Sequence, residues 1–324
     1  MKAIVYERYG PPEVLQLRDV PKPEPKDNEI LIRTRAATVT SGDWRVRSLD
    51  VPRGFGLMSR LIFGISKPRQ PILGVELAGD VESTGRNVTR FKRGDGVFAI
   101  SGNMGAYAEY KCLPEDSAVA IKPSNLSYEE AAALSFGGTT ALSFFRRGKL
   151  QRGETLLVNG ASGGVGTAAV QLARHFGAIV TGVCSSANVE LVKSLGCDRV
   201  IDYTREDFTR IGETWDVIMD AAGTAPFSRI KTSLKENGRL LLVLGGLPDM
   251  LLVPWASMTT RKKIVAGPAI GKAEDLQLLA KLAEAGEYKP VIDRRYPFEE
   301  IVEAHRYVDT GRKKGNVVVT LPQV

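Results

Sequence analysis

Metal ligands are scarce in this chain: its 324 residues include three cysteines and two histidines. Cys112, Cys184 and Cys197 cannot build a disulfide framework, and none stands at C-x-x-C spacing. They read as small buried hydrophobes. His175 and His305 each fall in a helical pattern with no second ligand type at metal spacing, so both read as structural or solvent-facing. No apolar run approaches the roughly 20 residues that cross a bilayer. The N-terminal stretch enters a strand-like pattern at once. It has neither the apolar core of a signal peptide nor the Arg/Ser-rich look of a transit peptide, so the cytoplasm is the expected compartment. The net charge is +7, but the basic residues are dispersed. Their densest spots, 261–263 and 312–314, have no interleaved aromatics of the kind a nucleic-acid stacking surface needs. Neither nucleic acid nor a membrane is therefore expected as a partner. A mildly basic surface suits an anionic small molecule.

Glycine is where the sequence is rich. In 155–177 a short apolar run enters a glycine-dense turn, Asn159-Gly-Ala-Ser-Gly-Gly-Val-Gly, which opens into a helical pattern carried by Val165, Ala169, Leu172 and Phe176. A second strand pattern follows at 178–183. Strand, glycine turn, helix and strand in that order hold a dinucleotide pyrophosphate: Ala161, Ser162, Gly163, Gly164, Val165 and Gly166 form the turn. Gly163 lets the backbone approach phosphate, Gly166 lets the helix pack close to its strand, and the first helical N–H groups face the anion. Ala161 stands where the usual pattern has its first glycine.

Residues 1–115 read as short strands with turns: 3–6, 15–19, 30–38, 77–84, 97–100 and 106–113. From Ser127, paired with Glu130 in a capping box, a helix begins. Strands and helices then alternate: strands at 155–159, 178–183, 199–201, 216–220 and 239–244, helices at 164–176, 188–195 and 226–235. This alternation predicts a parallel sheet covered by helices. After about 265 come two amphipathic helices, 274–285 and 298–310, and a last strand at 317–320. The fold expected is α/β: a doubly wound parallel sheet inserted in a mostly β domain, with 1–120 and 265–324 forming one domain and 121–264 the other. The apolar, glycine- and proline-broken segment 50–70 reads either as a loop packing on its own lobe or as a lid over a substrate pocket.

With these residues on the page, the chain resembles the medium-chain dehydrogenase/reductase superfamily along essentially its whole length, and within it the zinc-free, quinone-oxidoreductase-like branch. The resemblance is carried by Gly74-Val-Glu-Leu-Ala-Gly, Phe91-Lys-Arg-Gly-Asp-Gly-Val, Glu129-Glu-Ala-Ala-Ala-Leu with Thr139-Thr-Ala-Leu, the glycine turn, and Val200-Ile-Asp-Tyr. It implies a Rossmann domain inserted in a GroES-like catalytic domain. Zinc-dependent relatives have histidine where this chain has Val75, and their cysteine ligand falls near Thr40. Valine cannot coordinate zinc, so no metal site is expected.

The resemblance also implies a nicotinamide cofactor. A site for the 2′-hydroxyl form usually ends its second strand with a carboxylate; here that place reads Cys184-Ser185-Ser186-Ala187-Asn188. Ser185, Ser186, Asn188 and Tyr203 leave room for a 2′-phosphate, which points to NADPH. Ala187 stands where relatives often have arginine, and Lys193 and Arg205 are candidate substitutes. Ala222, Gly245 and Asn316 complete the cofactor set, with Lys314 beside Asn316 on a C-terminal segment that closes over the nicotinamide in the family. By position Thr40, Asp43, Phe136 and Thr140 line the cleft, Asp43 either touching ligand or supporting from behind. Tyr107 or a water is the candidate proton donor. The implied activity is zinc-independent hydride transfer from NADPH to a quinone or an α,β-unsaturated carbonyl, by a homodimer. The alternative is a non-catalytic NADPH-binding protein.

Overall fold

The computed structural model describes residues 1–251 and 260–322. It divides into unit one, Met1–Val51, Gly56–Phe136 and Gly271–Val324, and unit two, Pro52–Phe55 and Gly137–Ile270. Residues 121–136, grouped with the dinucleotide-binding domain on sequence, cluster with unit one, and 265–270 cluster with unit two. The expected ranges 121–264 and 265–324 also include 252–259 and 323–324, which lie outside the described residues.

Unit one is built around β3, Glu29–Val39, which pairs with β4 (Glu76–Thr84), β6 (Tyr110–Pro114) and β15 (Asn316–Thr320), all antiparallel. The sheet order is β14 (Ile292–Pro297), β15, β3, β4, β5 (Gly96–Ile100), β7 (Val119–Ile121), with β6 on β3. The last strand of the chain thus lies beside the third, Val317 opposite Val39, and the insertion read from the pattern of elements is realised in one sheet. Ile30, Ile32, Leu77, Val97, Val317 and Val319 meet in its core. A separate hairpin joins β1 (Lys2–Val5) to β2 (Gln16–Asp19).

Unit two is a six-stranded parallel sheet. Its order is β10 (Arg199–Asp202), β9 (Ile179–Cys184), β8 (Thr155–Asn159), β11 (Trp215–Asp220), β12 (Leu234–Leu242), β13 (Lys263–Ala266). The chain leaves β8 for β9 on one side and later returns to β11 on the other, which makes the carboxyl end of β8 the switch point of a doubly wound sheet.

Several elements differ from the sequence reading. Of 106–113 only Tyr110–Pro114 forms the strand, because Ala106 and Tyr107 donate to the carbonyls of Gly74 and Leu73 instead. The helix expected at 226–235 is only Phe227–Ile230, since Leu234 already pairs with Trp215 as β12 begins. Ser41–Ser48 and Gly56–Phe63 are helices that the period did not announce. Among the described residues no helix is long and apolar enough to cross a membrane.

Candidate functional site

Two constellations of candidate residues stand out, one in each unit. In unit two the backbone turns at Gly160, whose φ is +84°, and the helix Gly164–His175 starts from Gly163 without a side-chain cap. The N–H groups of its first turn have no partner within the helix and gather partial positive charge. A Cβ on Gly166 would lie 2.0 Å from the Gly160 carbonyl oxygen, so only glycine lets this helix sit against its strand. A Cβ on Gly163 would meet nothing nearer than 3.5 Å. That open face is where an anion can approach the backbone. A Cβ on Gly137 would lie 2.5 Å from the Gly164 carbonyl, which brings the helix Ser135–Gly148, with buried Thr140 one turn on, against the glycine turn.

At the end of β9 the Asn188 amide donates to Ser162 Oγ at 3.0 Å and to Ser185 Oγ at 3.3 Å. Asn188 Oδ1 is buried without a partner. Ser186 turns to the neighbouring strand end and donates to Asp202 Oδ2 at 2.5 Å. Asp202 also accepts from Thr204 N and Oγ1 and pairs with Arg205 at 3.4 Å. The Ser186 hydroxyl, ahead of the Thr204 contacts, holds the Asp202 carboxyl below its usual range. Sequence reasoning named the serines but not that Asp202 is the partner of Ser186. Tyr203 beside it is exposed. Lys193 pairs with Glu190 at 3.0 Å, so both candidate substitute cations have a carboxylate partner.

Ala222 closes the other flank. Fully buried Asp220 accepts from the N–H groups of Ala222, Gly223 and Ala225 and from the Asn159 amide, which pins this turn against Gly160. Gly245 follows β12, where a Cβ would collide with Leu242 at 2.5 Å. Ala161, Ser162, Gly163, Gly164, Val165, Gly166, Ser185, Ser186, Asn188, Tyr203, Ala222 and Gly245 thus all belong to unit two. Asn316 belongs to unit one, where its amide donates to the carbonyls of Val291 at 3.1 Å and Ala133 at 3.4 Å.

In unit one Thr40 caps the helix Ser41–Ser48. Asp43 Oδ2 accepts from Thr40 N at 2.8 Å and from Thr40 Oγ1 at 2.6 Å, and Oδ1 accepts from Gly74 N at 3.1 Å. Burial raises the Asp43 pKa against these bonds. Asp43 is 1% exposed. The Phe136 ring packs beside Gly42, next to this cap. Gly74, with φ +91°, lies against the Tyr107 ring, which a Cβ would meet at 2.5 Å. Tyr107 itself is fully buried and donates to the Thr38 carbonyl at 3.1 Å. Its pKa is driven well above the usual value by burial first.

The residue that sequence reasoning passed over is Glu76. It is fully buried, accepts from Thr38 Oγ1 on one oxygen and from the Phe136 backbone N–H on the other, and burial pushes its pKa up to about 7. Lys313, which donates to the Gly315 carbonyl at 2.6 Å, is lowered by burial to about 8, with Glu76 and Asp293 opposing the drop. The signal available in the sequence was a carboxylate in a short apolar run, Val75-Glu76-Leu77-Ala78.

A zinc ion does not fit this donor set. Val75 offers no lone pair, the Thr40 hydroxyl is engaged as a helix cap, and Glu76 is engaged by Thr38 and Phe136. Among the described residues no group of three or more His, Cys, Asp or Glu is placed to hold a metal.

Residues 26–123 match the alcohol dehydrogenase GroES-like domain, and residues 195–319 match the zinc-binding dehydrogenase family. The chain is 34% identical to a 2-methylene-furan-3-one reductase of Solanum lycopersicum, over 98% of this chain and 79% of that protein. It is 31% identical to a chloroplastic NADPH-dependent alkenal/one oxidoreductase of Arabidopsis thaliana, over the same shares. The solved quinone oxidoreductase of Coxiella burnetii superposes with a TM-score of 0.88 at 30% identity, over 99% of each chain.

Proposed function

This chain belongs to the quinone-oxidoreductase branch of the medium-chain dehydrogenase/reductase superfamily, and on that footing we propose that it is a zinc-independent, NADPH-dependent reductase of quinones or α,β-unsaturated carbonyls. The carrying observation is the pairing of a glycine turn shaped for a pyrophosphate with a donor set unsuited to zinc. Without a Lewis acid, the suitable acceptors are those that take hydride without strong carbonyl activation.

When bound, the nicotinamide supplies the hydride. The chain's residues do the rest. Gly164, Val165 and Gly166 offer the backbone N–H groups of the first helical turn, and Gly163, whose own N–H is held by the Gly160 carbonyl, gives the pyrophosphate close approach. The end of β9 carries no carboxylate of its own, which leaves space for a 2′-phosphate beside Ser185 and Asn188, with exposed Tyr203 flanking it; Ser186 would donate to it on releasing Asp202. The relative described as NADPH-dependent supports the same choice. Asp43 and Thr40 fix the start of the helix Ser41–Ser48, and Glu76 fixes the backbone of Phe136, so these act as positioning residues for the acceptor side. Thr140 and Asn316 are assigned to the site by the family pattern. The proposed assembly is a homodimer in the cytoplasm.

The test is loss of reduced-nicotinamide absorbance against quinones, enones and simple aldehydes, with NADPH and NADH in parallel. Turnover of an enone or quinone, faster with NADPH, is expected. Tight NADPH binding without turnover of any acceptor would overturn the reading in favour of a non-catalytic binding protein.

A further inference from the structure

The helix Gly56–Phe63 is held to unit one by one side only. Ser59 is buried and Phe63 packs against the core, four residues apart on one face, while Tyr9 donates to the Gly64 carbonyl at 2.9 Å. The other face presents Leu57, Met58, Leu61 and Ile62, and Ile65 follows. Their exposures run from 47% for Met58 to 75% for Leu57. Spacings of one, three and four place these four helical side chains on a single stripe. Five adjacent exposed aliphatic side chains are far more than the scattered apolar residues an ordinary surface carries.

The segment that carries the stripe has charge of one sign. Between Asp50 and Glu76 the sequence contains no carboxylate and four cations, Arg53, Arg60, Lys67 and Arg69. All four are exposed, and among the described residues none of them is in an ion pair. Arg60 lies on the flank between the buried and exposed faces, its guanidinium donating to the Ile65 carbonyl at 2.9 Å. The stripe itself offers no hydroxyl, amide or aromatic ring, the groups that give protein interfaces their hydrogen bonds and anchors. An aliphatic face bordered by unpaired cations is instead complementary to a bilayer surface, where acyl chains lie beneath anionic headgroups.

We propose that Leu57, Met58, Leu61, Ile62 and Ile65, with Arg60, Lys67 and Arg69 beside them, dock this protein reversibly on the surface of a membrane containing anionic lipid. This revises the expectation, drawn from the lack of a spanning segment, that no membrane is a partner. It is independent of the proposed reaction.

The experiment is flotation of the full chain with phosphatidylcholine vesicles, with and without phosphatidylserine. Flotation only with phosphatidylserine is expected, weakening as salt is raised. Two variants at exposed positions, Leu61→Ser with Ile62→Ser, and Arg60→Glu with Lys67→Glu, should each lower the bound fraction about tenfold or more while the melting temperature holds. A Leu57→Trp variant should shift its emission to the blue on adding the anionic vesicles. Three results would overturn the proposal. One is no flotation of the wild-type chain. Another is flotation unchanged in the serine variant. The third is wild-type self-association in sedimentation velocity that the serine variant abolishes, which would make the stripe an interface between copies.

Discussion

Glu76 accepts the backbone N–H of Phe136, sixty residues further along the chain, and so ties the first residue of β4 to the entry of the helix Ser135–Gly148. The bond sits in a fully buried place where the carboxyl holds its proton to about pH 7. Folding therefore raises this pKa from 4.5 to about 7. The folded state binds more protons than the unfolded one between those values, so stability contributed by Glu76 is complete below about pH 4.5 and lost as pH rises through about 7. In Glu76→Gln this loss disappears. Urea unfolding should show the variant gaining on the wild type across that window, to at most about 3 kcal/mol at alkaline pH. A difference independent of pH would contradict the assignment.

The glycine turn can be tested by two substitutions that look alike on paper. At Gly166 a methyl group would lie 2.0 Å from a carbonyl oxygen, whereas at Gly163 its nearest neighbour is 3.5 Å away. Gly166→Ala should cost at least about 2 kcal/mol of stability through overpacking against backbone. Gly163→Ala should change stability by about 1 kcal/mol or less yet weaken NADPH binding about tenfold by blocking the approach of phosphate. Equal thermal shifts in the two variants would count against this reading.

The proposed preference for NADPH can be tested at Ser186 and its partner Asp202. Ser186→Asp would set a second carboxylate beside the first, repelling a 2′-phosphate and offering an acceptor to a 2′-hydroxyl. The ratio of kcat/KM with NADPH to that with NADH should fall about tenfold or more. Asp202→Asn should move the ratio the other way. If neither ratio moves, the phosphate binds elsewhere.

Arg47 is 1% exposed and holds three distant groups at once: the Gly10 carbonyl at 3.1 Å, His305 Nδ1 at 3.0 Å and Asp309 Oδ2 at 2.5 Å. Because His305 Nδ1 accepts from a guanidinium, its proton sits on Nε2. Burial first, and the Arg47 charge second, keep the ring neutral far below its ordinary pKa. Arg47→Met should cost roughly 3–5 kcal/mol by stranding these partners, read as a lowered urea midpoint. A loss under about 1 kcal/mol would mean water replaces the guanidinium.

What was legible in the sequence was local. The glycine turn needs φ > 0 at Gly160 and a missing side chain at Gly166, and the Ser127–Glu130 box is closed over four residues. Alternating strands and helices also followed from period and turn chemistry, and with them the inserted parallel sheet. The helix Ser41–Ser48 escaped because its signal is a Thr40–Asp43 cap rather than an apolar stripe.

The sequence by itself determined that this chain folds a dinucleotide turn into a parallel sheet and that Val75, at the place where the resemblance puts a zinc-binding histidine, has no side-chain ligand to give. Those features depend on residues a few positions apart. Only the tertiary structure decided that Glu76 meets Thr38, Phe136 and the charge of Lys313, that Ser186 faces Asp202, that Asn316 bonds to Ala133 and Val291, and which side of Gly56–Phe63 is left uncovered. Each of these depends on how separate elements pack. Burial and pairing set the charge states there, and neither is defined until the strands have found their register.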